Sequence, residues 1–162
     1  MVRPATECDA AAIASIYNHY IANTVVTFEE QVVTASEMLG RMKAVADALL
    51  PWLVAEQNRQ VVGYAYAGKW HGRSAYRFTA ESTVYLHEQF VGCGLGRELY
   101  EALLLELRSK SVHAVIGGIA LPNPASVALH EKLGFEKAAH YREVGFKFGR
   151  WIDVGYWQKM LS

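Results

Sequence analysis

The chain of 162 residues carries 16 basic and 16 acidic side chains, and this zero formal charge gives no footprint for nucleic acid or an anionic membrane. Hydrophobic residues make up 52% of the sequence and charged residues 20%, which is typical of a folded globular protein and excludes a disordered chain. We therefore predict one domain over residues 1–162, with a buried core and a small molecule as its partner.

Two amphipathic helices are predicted after a short extended start. Thr6 can cap the first helix, whose apolar residues recur every three or four positions as far as Tyr20. Thr34 and Glu37 fit a capping box that opens the second helix, and Pro51 closes that segment.

The middle of the chain changes from helical to strand periodicity. Residues 52–56 and 61–67 flank a polar turn and predict an antiparallel hairpin, while residues 76–86 predict a third strand. Residues 97–109 carry leucines at four-residue spacing and predict a helix packed on one face.

The last third of the chain returns to strands. Residues 112–120 predict a strand, residues 126–133 a short helix, and residues 137–160 two further strands around Gly149. A strand, loop, helix and strand in mid-chain, with hairpins on both sides, predict an α/β protein with a mixed sheet.

The cysteine content and the apolar segments predict where the protein works. Cys8 and Cys93 are too few for a disulfide framework or a metal cluster, and the N-terminus lacks the pattern of an export signal. No apolar window approaches the roughly 20 residues that a bilayer-spanning helix needs. We therefore expect a metal-free cytoplasmic protein without a membrane partner.

A glycine-spaced loop, residues 89–97, joins the third strand to the next helix. Its glycines permit positive φ, so that successive N–H groups can converge on an anion at the helix N-terminus. The spacing excludes a dinucleotide fingerprint, which would need glycine at Arg97 or Leu99, and a Walker A loop, which would need Lys and Ser or Thr. A tight strand-to-helix turn would use the same glycines, so the loop alone predicts either an anion cradle or a turn.

Two spaced motifs carry a resemblance to a known family. The first, Q/R-x-x-G-x-G/A, matches Gln89, Gly92 and Gly94, and the second, N-x-x-(A/S)-x-x-x-(Y/H)-x-x-x-G-F, matches Asn123, Ser126, His130, Gly134 and Phe135. The chain thus resembles the GCN5-related N-acetyltransferase (GNAT) superfamily, and in particular its phosphinothricin and methionine sulfoximine N-acetyltransferase branch. Similar segments cover nearly the whole chain, including residues 16–20, 51–56, 64–68, 79–85 and 146–151.

The resemblance implies both a fold and a reaction. The fold is a central twisted mixed sheet of about six or seven strands flanked by about four helices. The reaction is direct transfer of the acetyl group of acetyl-CoA to the α-amine of a small amino-acid analogue such as phosphinothricin, methionine sulfoximine or methionine sulfone. Such an enzyme would confer herbicide or antibiotic resistance, and the aromatic C-terminal strands suggest a homodimer. Two alternatives stay open: an acetyltransferase acting on peptides or other amines, and a non-catalytic acyl-CoA-binding sensor.

For the cofactor, the resemblance implies binding through the backbone. The glycine loop would hold the CoA pyrophosphate with Arg97 adding charge, although Cys93 stands where the commonest family loop has a basic residue. Asn123 would bond the pantetheine or serve as a turn residue, and Lys132 would reach a phosphate or stay solvated. The predicted cofactor-binding residues are Val84, Tyr85, Leu86, Gln89, Gly92, Cys93, Gly94, Leu95, Gly96, Arg97, Asn123, Ser126 and Lys132.

Three residues are predicted to act on the reacting atoms. Glu81 would be the base that deprotonates the amine, although an isolated strand glutamate also fits an exposed edge or an ion pair. His130 would protonate the leaving thiolate, contact the substrate, or simply pack or cap. The N–H of Leu86 would stabilise the oxyanion.

The acceptor site is predicted around the start of the third strand. Arg73 would pair with the substrate carboxylate or phosphinate, or remain an ordinary surface arginine. Aromatic side chains would form the walls. The predicted substrate-binding residues are Phe28, Arg73, Ala75, Tyr76, Arg77, Glu81 and His130.

Overall fold

A mixed seven-stranded sheet runs through the computed structural model, which describes residues 1–162. The strands are β1 (Val2–Pro4), β2 (Trp52–Gln57), β3 (Gln60–Lys69), β4 (Thr79–Leu86), β5 (Ala114–Leu121), β6 (Glu136–Lys147) and β7 (Arg150–Met160). The helices are α1 (Ala10–Asn23), α2 (Ala35–Asp47), α3 (Leu95–Ser109) and α4 (Pro124–Lys132). The predicted mixed sheet with four helices is therefore confirmed. None of these helices has the length and apolar character needed to cross a membrane.

The strand order is β1-β2-β3-β4-β5-β7-β6, and β4 with β5 is the one parallel pair. Its register extends only from Thr79 opposite Ala114 to Glu81 opposite Ile116, although both strands continue for several residues. β3 stays paired with β4 as far as Leu86 on the other side. The sheet therefore opens into a gap between β4 and β5 just beyond Glu81.

Each face of the sheet has its own core. Helices α1 and α2 cover one face, where Trp52 and Val54 of β2 point, and α3 and α4 cover the other, where Leu53 and Ala55 point. This alternation follows from the two-residue period of a strand. Along β4 and β5, consecutive side chains therefore lie on opposite faces of the sheet at the edges of the gap.

Local sequence signals explain where the helices begin. Thr34 and Glu37 form the predicted capping box, with Glu37 N–H donating to Thr34 at 3.1 Å and Thr34 N–H donating to Glu37 at 2.7 Å. Helix α4 begins at Pro124, two residues before the predicted start, because Asn123 caps it and proline suits the first turn.

Two predicted boundaries in mid-chain shift by two or three residues. The third strand begins at Thr79 instead of residue 76, because residues 74–76 form a single turn of 3₁₀-helix. Helix α3 begins at Leu95 instead of residue 97, so the last three residues of the predicted glycine loop belong to the first turn of the helix.

Candidate active site

A cleft of about 280 Å³ occupies the gap between β4 and β5. It brings together seven of the predicted site residues: Phe28, Glu81, Val84, Tyr85, Asn123, Ser126 and His130. Nine lining residues were not predicted from the sequence: Val26, Thr27, Ser82, Thr83, Gly118, Ile119, Ala120, Val154 and Tyr156. The cleft is therefore made from three strands, one helix and the loop between α1 and α2, which lie far apart in the chain.

The backbone of β4 forms one wall of the cleft. The hydrogen bonds from Trp70 N–H to Thr79 and from His87 N–H to Val62 set the phase of the β3–β4 ladder. Because antiparallel strands bond through alternate residues, the odd-numbered residues of β4 face β3 and the even-numbered ones face the gap.

The backbone groups of Val84 and Leu86 accordingly face the gap, as the predicted contacts with the cofactor require. Those of Tyr85 point to β3, and its ring lies against Tyr17, Tyr20 and Tyr64 in the core on the α1 face. The prediction that the backbone of Tyr85 faces the cofactor is therefore wrong, because it pairs with β3. The hydroxyl of Tyr20 donates to the carbonyl of Leu86 at 2.5 Å and fixes the end of the strand.

Glu81 lies on the α1 and α2 side of the sheet, at the last residue where β4 and β5 are paired. Burial raises the pKa of its carboxyl above the ordinary value of 4.5, and the charge of His71 offsets part of that rise. Phe28 and Tyr156 share this side of the cleft. A half-buried carboxylate with a raised pKa in a cleft is suited to accept a proton near neutral pH.

The opposite side of the cleft holds a chain of three buried side chains. Ser82 is hydrogen-bonded to the hydroxyl of Tyr100, and that hydroxyl lies 2.9 Å from Nε2 of His130. Nδ1 of His130 lies 2.7 Å from the carbonyl oxygen of Ser126.

The donor and acceptor roles in these hydrogen bonds follow from the last acceptor, the carbonyl oxygen of Ser126. A carbonyl only accepts, so Nδ1 of His130 carries the proton, and in the neutral ring Nε2 accepts from Tyr100, whose oxygen then accepts from Ser82. Burial lowers the pKa of His130 and raises that of Tyr100, so both groups are neutral. His130 reaches the cleft with both ring nitrogens already engaged.

Two adjacent glycines on β5, Gly117 and Gly118, leave space for the side chains of His130 and Tyr156 on opposite faces of the sheet. A Cβ atom at Gly117 would lie 2.6 Å from Nε2 of His130, and one at Gly118 would lie 3.1 Å from the ring of Tyr156. A Gly-Gly pair inside a strand signals close approach by another group. That signal could have indicated these two contacts from the sequence.

The glycine loop lies at the open end of β4. Gly92 and Gly94 have φ of +82° and +87°, and no heavy atom lies within 4 Å of the Cβ position at either. Gly94 is the N-cap of α3, so the free N–H groups of the first turn of α3 lie at the loop. The arrangement fits an anion cradle.

The side chains predicted to assist the loop have other local partners. Arg97 is exposed and forms an ion pair with Glu101 at 2.7 Å, while the exposed thiol of Cys93 donates to the carbonyl of Phe90 at 2.9 Å. Gln89 and Lys132 are exposed, and Leu95 and Gly96 are buried beneath the loop. The loop therefore offers backbone donors more directly than charged side chains.

The segment from Arg73 to Arg77 does not join the cleft. Arg73 and Tyr76 line a separate depression with His71 and Gly72, and Arg77 stacks on Phe78 at 4.5 Å. Ala75 is exposed within the same turn. The prediction of Arg73 rests on the pairing of a guanidinium group with a carboxylate, but the 3₁₀ turn at residues 74–76 carries these side chains away from the cleft.

Residues 2–155 match the model of the family described as the acetyltransferase (GNAT) domain. The chain is 43% identical to a phosphinothricin N-acetyltransferase of Streptomyces viridochromogenes, with 98% of this chain and 86% of that protein covered. It is 39% identical to an L-methionine sulfoximine/L-methionine sulfone acetyltransferase of Salmonella typhimurium, covering 99% of this chain and 94% of that one. The solved structure of a GNAT superfamily phosphinothricin acetyltransferase from Sinorhizobium meliloti, in complex with acetyl-CoA, superposes with a TM-score of 0.97 at 35% identity, covering 100% of this chain and 88% of that chain.

Proposed function

Because the chain belongs to the GNAT acetyltransferase family and is an acetyl-CoA-dependent N-acetyltransferase, we propose that its acceptor is the α-amine of a small amino-acid analogue of the phosphinothricin or methionine sulfoximine type. The observation that carries the proposal is the gap between β4 and β5, with an unpaired strand edge along it. Glu81 and His130 line this gap from opposite faces of the sheet.

Acetyl-CoA fits the residues on one side of this gap. The backbone of Val84 and Leu86 would pair with the pantetheine amides as an added strand, and the N–H groups at the start of α3 would hold the pyrophosphate. When bound, acetyl-CoA supplies an activated thioester. The N–H of Leu86 would donate to its carbonyl oxygen and stabilise the negative charge that develops there.

Glu81 is proposed to act as the general base. An α-ammonium cannot attack a carbonyl until it loses a proton, and the raised pKa of the Glu81 carboxyl brings the acceptor closer in basicity to the donor. Phe28 and Tyr156 would hold the acceptor beside Glu81.

The leaving thiolate is proposed to take its proton from the hydrogen-bonded residues Ser82, Tyr100 and His130, on the face of the sheet opposite Glu81. Ser82, which lines the cleft, would give its hydroxyl proton to the thiolate and take that of Tyr100 in its place, and solvent would return a proton to the pair through Ser82 after CoA leaves. His130, whose Nε2 carries no proton, holds the Tyr100 hydroxyl in position. A thiol has an ordinary pKa of about 8.5, so its anion leaves readily and needs little general-acid catalysis. We therefore propose that these three residues contribute less to the rate enhancement than Glu81 does.

We also propose that the protein is a cytoplasmic homodimer. Tyr141, Phe146, Phe148 and Trp151 of the β6–β7 hairpin are 54% to 63% exposed, and β6 is an edge strand of the sheet. An aromatic surface of this kind is typical of a protein–protein contact. The two exposed free thiols suit a reducing compartment. Sedimentation equilibrium should give twice the chain mass, and a monomer at all concentrations would contradict the dimer.

The function is tested by a panel of acceptors assayed by the release of free CoA thiol. Phosphinothricin, methionine sulfoximine and methionine sulfone should each support turnover, with kcat/KM at least about tenfold above that of ordinary amino acids, since side-chain contacts in a pocket commonly discriminate by that factor. Peptides with free N-termini serve as the comparison. Faster turnover of peptides would assign the protein to them, and CoA binding without any amine-dependent thiol release would indicate a sensor.

A further inference from the structure

One wall of the cleft is held in place almost entirely by side chains. Val26, Thr27 and Phe28, here called the acceptor wall, belong to the loop between α1 and α2. Residues 25–33 make no hydrogen bond between backbone groups. The position of the wall therefore depends on the side chains that reach it from other elements.

Lys147 of β6 is the most buried of these side chains. It is 1% exposed, and its Nζ donates to the carbonyl oxygen of Thr27 at 2.8 Å across 120 positions of sequence. Burial lowers its pKa, and the charges of Glu29 and Glu30 counteract the shift. Burying an ammonium group is costly unless it is hydrogen-bonded and compensated, so this contact is a built feature of the fold.

A second set of contacts holds the same residue from the opposite side. The hydroxyl of Thr27 lies 2.7 Å from that of Tyr17, and Tyr17 donates to Glu29. Glu29 also accepts from two guanidinium nitrogens of Arg41 on α2, at 2.8 and 2.5 Å. Because Tyr17 gives its proton to the carboxylate, Thr27 donates to Tyr17, and the wall is fixed between α1, α2 and β6.

Gly145 completes the support two residues before Lys147 on the same face of β6. Both residues are buried, and a Cβ atom at Gly145 would overlap the ring of Phe28. Adjacent positions of the acceptor wall thus rest on alternate positions of one strand: Thr27 on Lys147 and Phe28 on Gly145.

We propose that Lys147 is a positioning residue for the acceptor, which holds the Thr27 carbonyl and thereby sets where Phe28 meets the amine substrate. This inference rests on the proposed function, in which the cleft beside Glu81 receives the amine. The glycine loop and the β4 backbone lie on other elements, so binding of acetyl-CoA does not depend on Lys147.

The test compares Lys147→Met with Lys147→Arg and with a control on the same strand, Lys137→Met, which removes an exposed ammonium. In Lys147→Met the KM of the amine should rise by about tenfold or more, as expected for loss of a charged hydrogen bond, while the KM of acetyl-CoA stays within about twofold. Lys147→Arg keeps a donor and should recover part of the loss. Lys137→Met should match the wild type.

Hydrogen–deuterium exchange supplies a readout that does not depend on activity. In Lys147→Met, amides of residues 25–33 should exchange faster while those of α3 and β4 remain protected. If Lys147→Met does not fold, Arg41→Gln at the exposed end of the network should raise the amine KM by about threefold with the acetyl-CoA KM unchanged.

The outcomes separate the inference from the proposed function. A wild type that turns over no small amine would overturn the proposed function. An active wild type whose Lys147→Met and Arg41→Gln variants keep both the amine KM and the exchange of residues 25–33 would overturn the role of Lys147. Equal increases in both KM values would show a general structural role and would likewise reject the inference.

Discussion

The two sides of the cleft are built in different ways. The side proposed for acetyl-CoA consists largely of backbone groups from a short stretch of chain, the end of β4, the glycine loop and the start of α3. The acceptor side consists of side chains from distant parts of the sequence, including Phe28, Glu81 and Tyr156, and Lys147 supports it from behind through Thr27. A site made of backbone groups tolerates many side chains, whereas one made of side chains changes with a single substitution. The cofactor and the acceptor specificity can therefore vary independently within one fold.

The largest effect is expected on the acceptor side, at Glu81. Glu81→Gln removes the proposed base, so kcat/KM for the amine should fall by about 10²- to 10⁴-fold at neutral pH. Because a base works only when deprotonated, the wild-type rate should fall as the pH drops through the raised pKa of this carboxyl. The pH profile of Glu81→Gln should lack that acidic limb.

Glu136→Gln, which alters an exposed glutamate on β6, is the matched control and should leave the rate unchanged. A Glu81→Gln enzyme with the wild-type rate and the same acidic limb would assign the base to another group.

A smaller effect is expected on the cofactor side, at Gly94. An alanine there must adopt φ near +87°, which L side chains disfavour, so Gly94→Ala distorts the N-terminus of α3. The KM of acetyl-CoA should rise by about tenfold, and the KM of the amine should stay within about twofold. Steady-state kinetics with each substrate varied in turn make the measurement.

Gly40→Ala, in the open middle of α2 at ordinary φ, is the control for Gly94→Ala. An increase in the amine KM equal to that of acetyl-CoA would contradict the division of the cleft into two independent sides.

The smallest effect is expected at Tyr100. Tyr100→Phe removes the hydroxyl that joins Ser82 to His130 and leaves Nε2 of His130 without its donor. Since the thiolate leaves readily, kcat should fall only by about threefold to tenfold, with both KM values unchanged. Tyr64→Phe, on the opposite face of the sheet, is the control, and equal losses in the two variants would argue against a proton path through Tyr100.

Much of the fold, with the glycine loop in it, could be predicted from sequence because each of these signals is local. The capping box of Thr34 and Glu37, the hairpin of β2 and β3 and the glycines at 92 and 94 act on neighbouring residues. The residues that make up each signal are therefore neighbours both in the sequence and in the structure. The second motif, from Asn123 to Phe135, likewise covers one short helix and its caps.

The acceptor side could be predicted only in part because its contacts are not local. Glu81 and Phe28 were identified through resemblance, but Lys147 contacts a residue 120 positions away, and no periodicity signals that pairing. Arg73 is predicted because a guanidinium group pairs with a carboxylate, but that chemistry does not locate the side chain, and the turn at residues 74–76 separates it from the cleft. Tyr100 has the spacing of a core residue in α3, so its hydrogen bonds to Ser82 and His130 were missed.

Direct transfer from acetyl-CoA to the amine is tested by following the acetyl group itself. Enzyme mixed with acetyl-CoA labelled in the acetyl group is analysed by intact-protein mass spectrometry before and after methionine sulfoximine is added. With direct transfer the protein mass stays unchanged throughout, and the amine yields labelled N-acetyl product in equal amount to free CoA. Direct transfer would be contradicted by a labelled acetyl group that forms on the wild-type protein and disappears when the amine is added, if Cys93→Ala shows neither the label nor turnover.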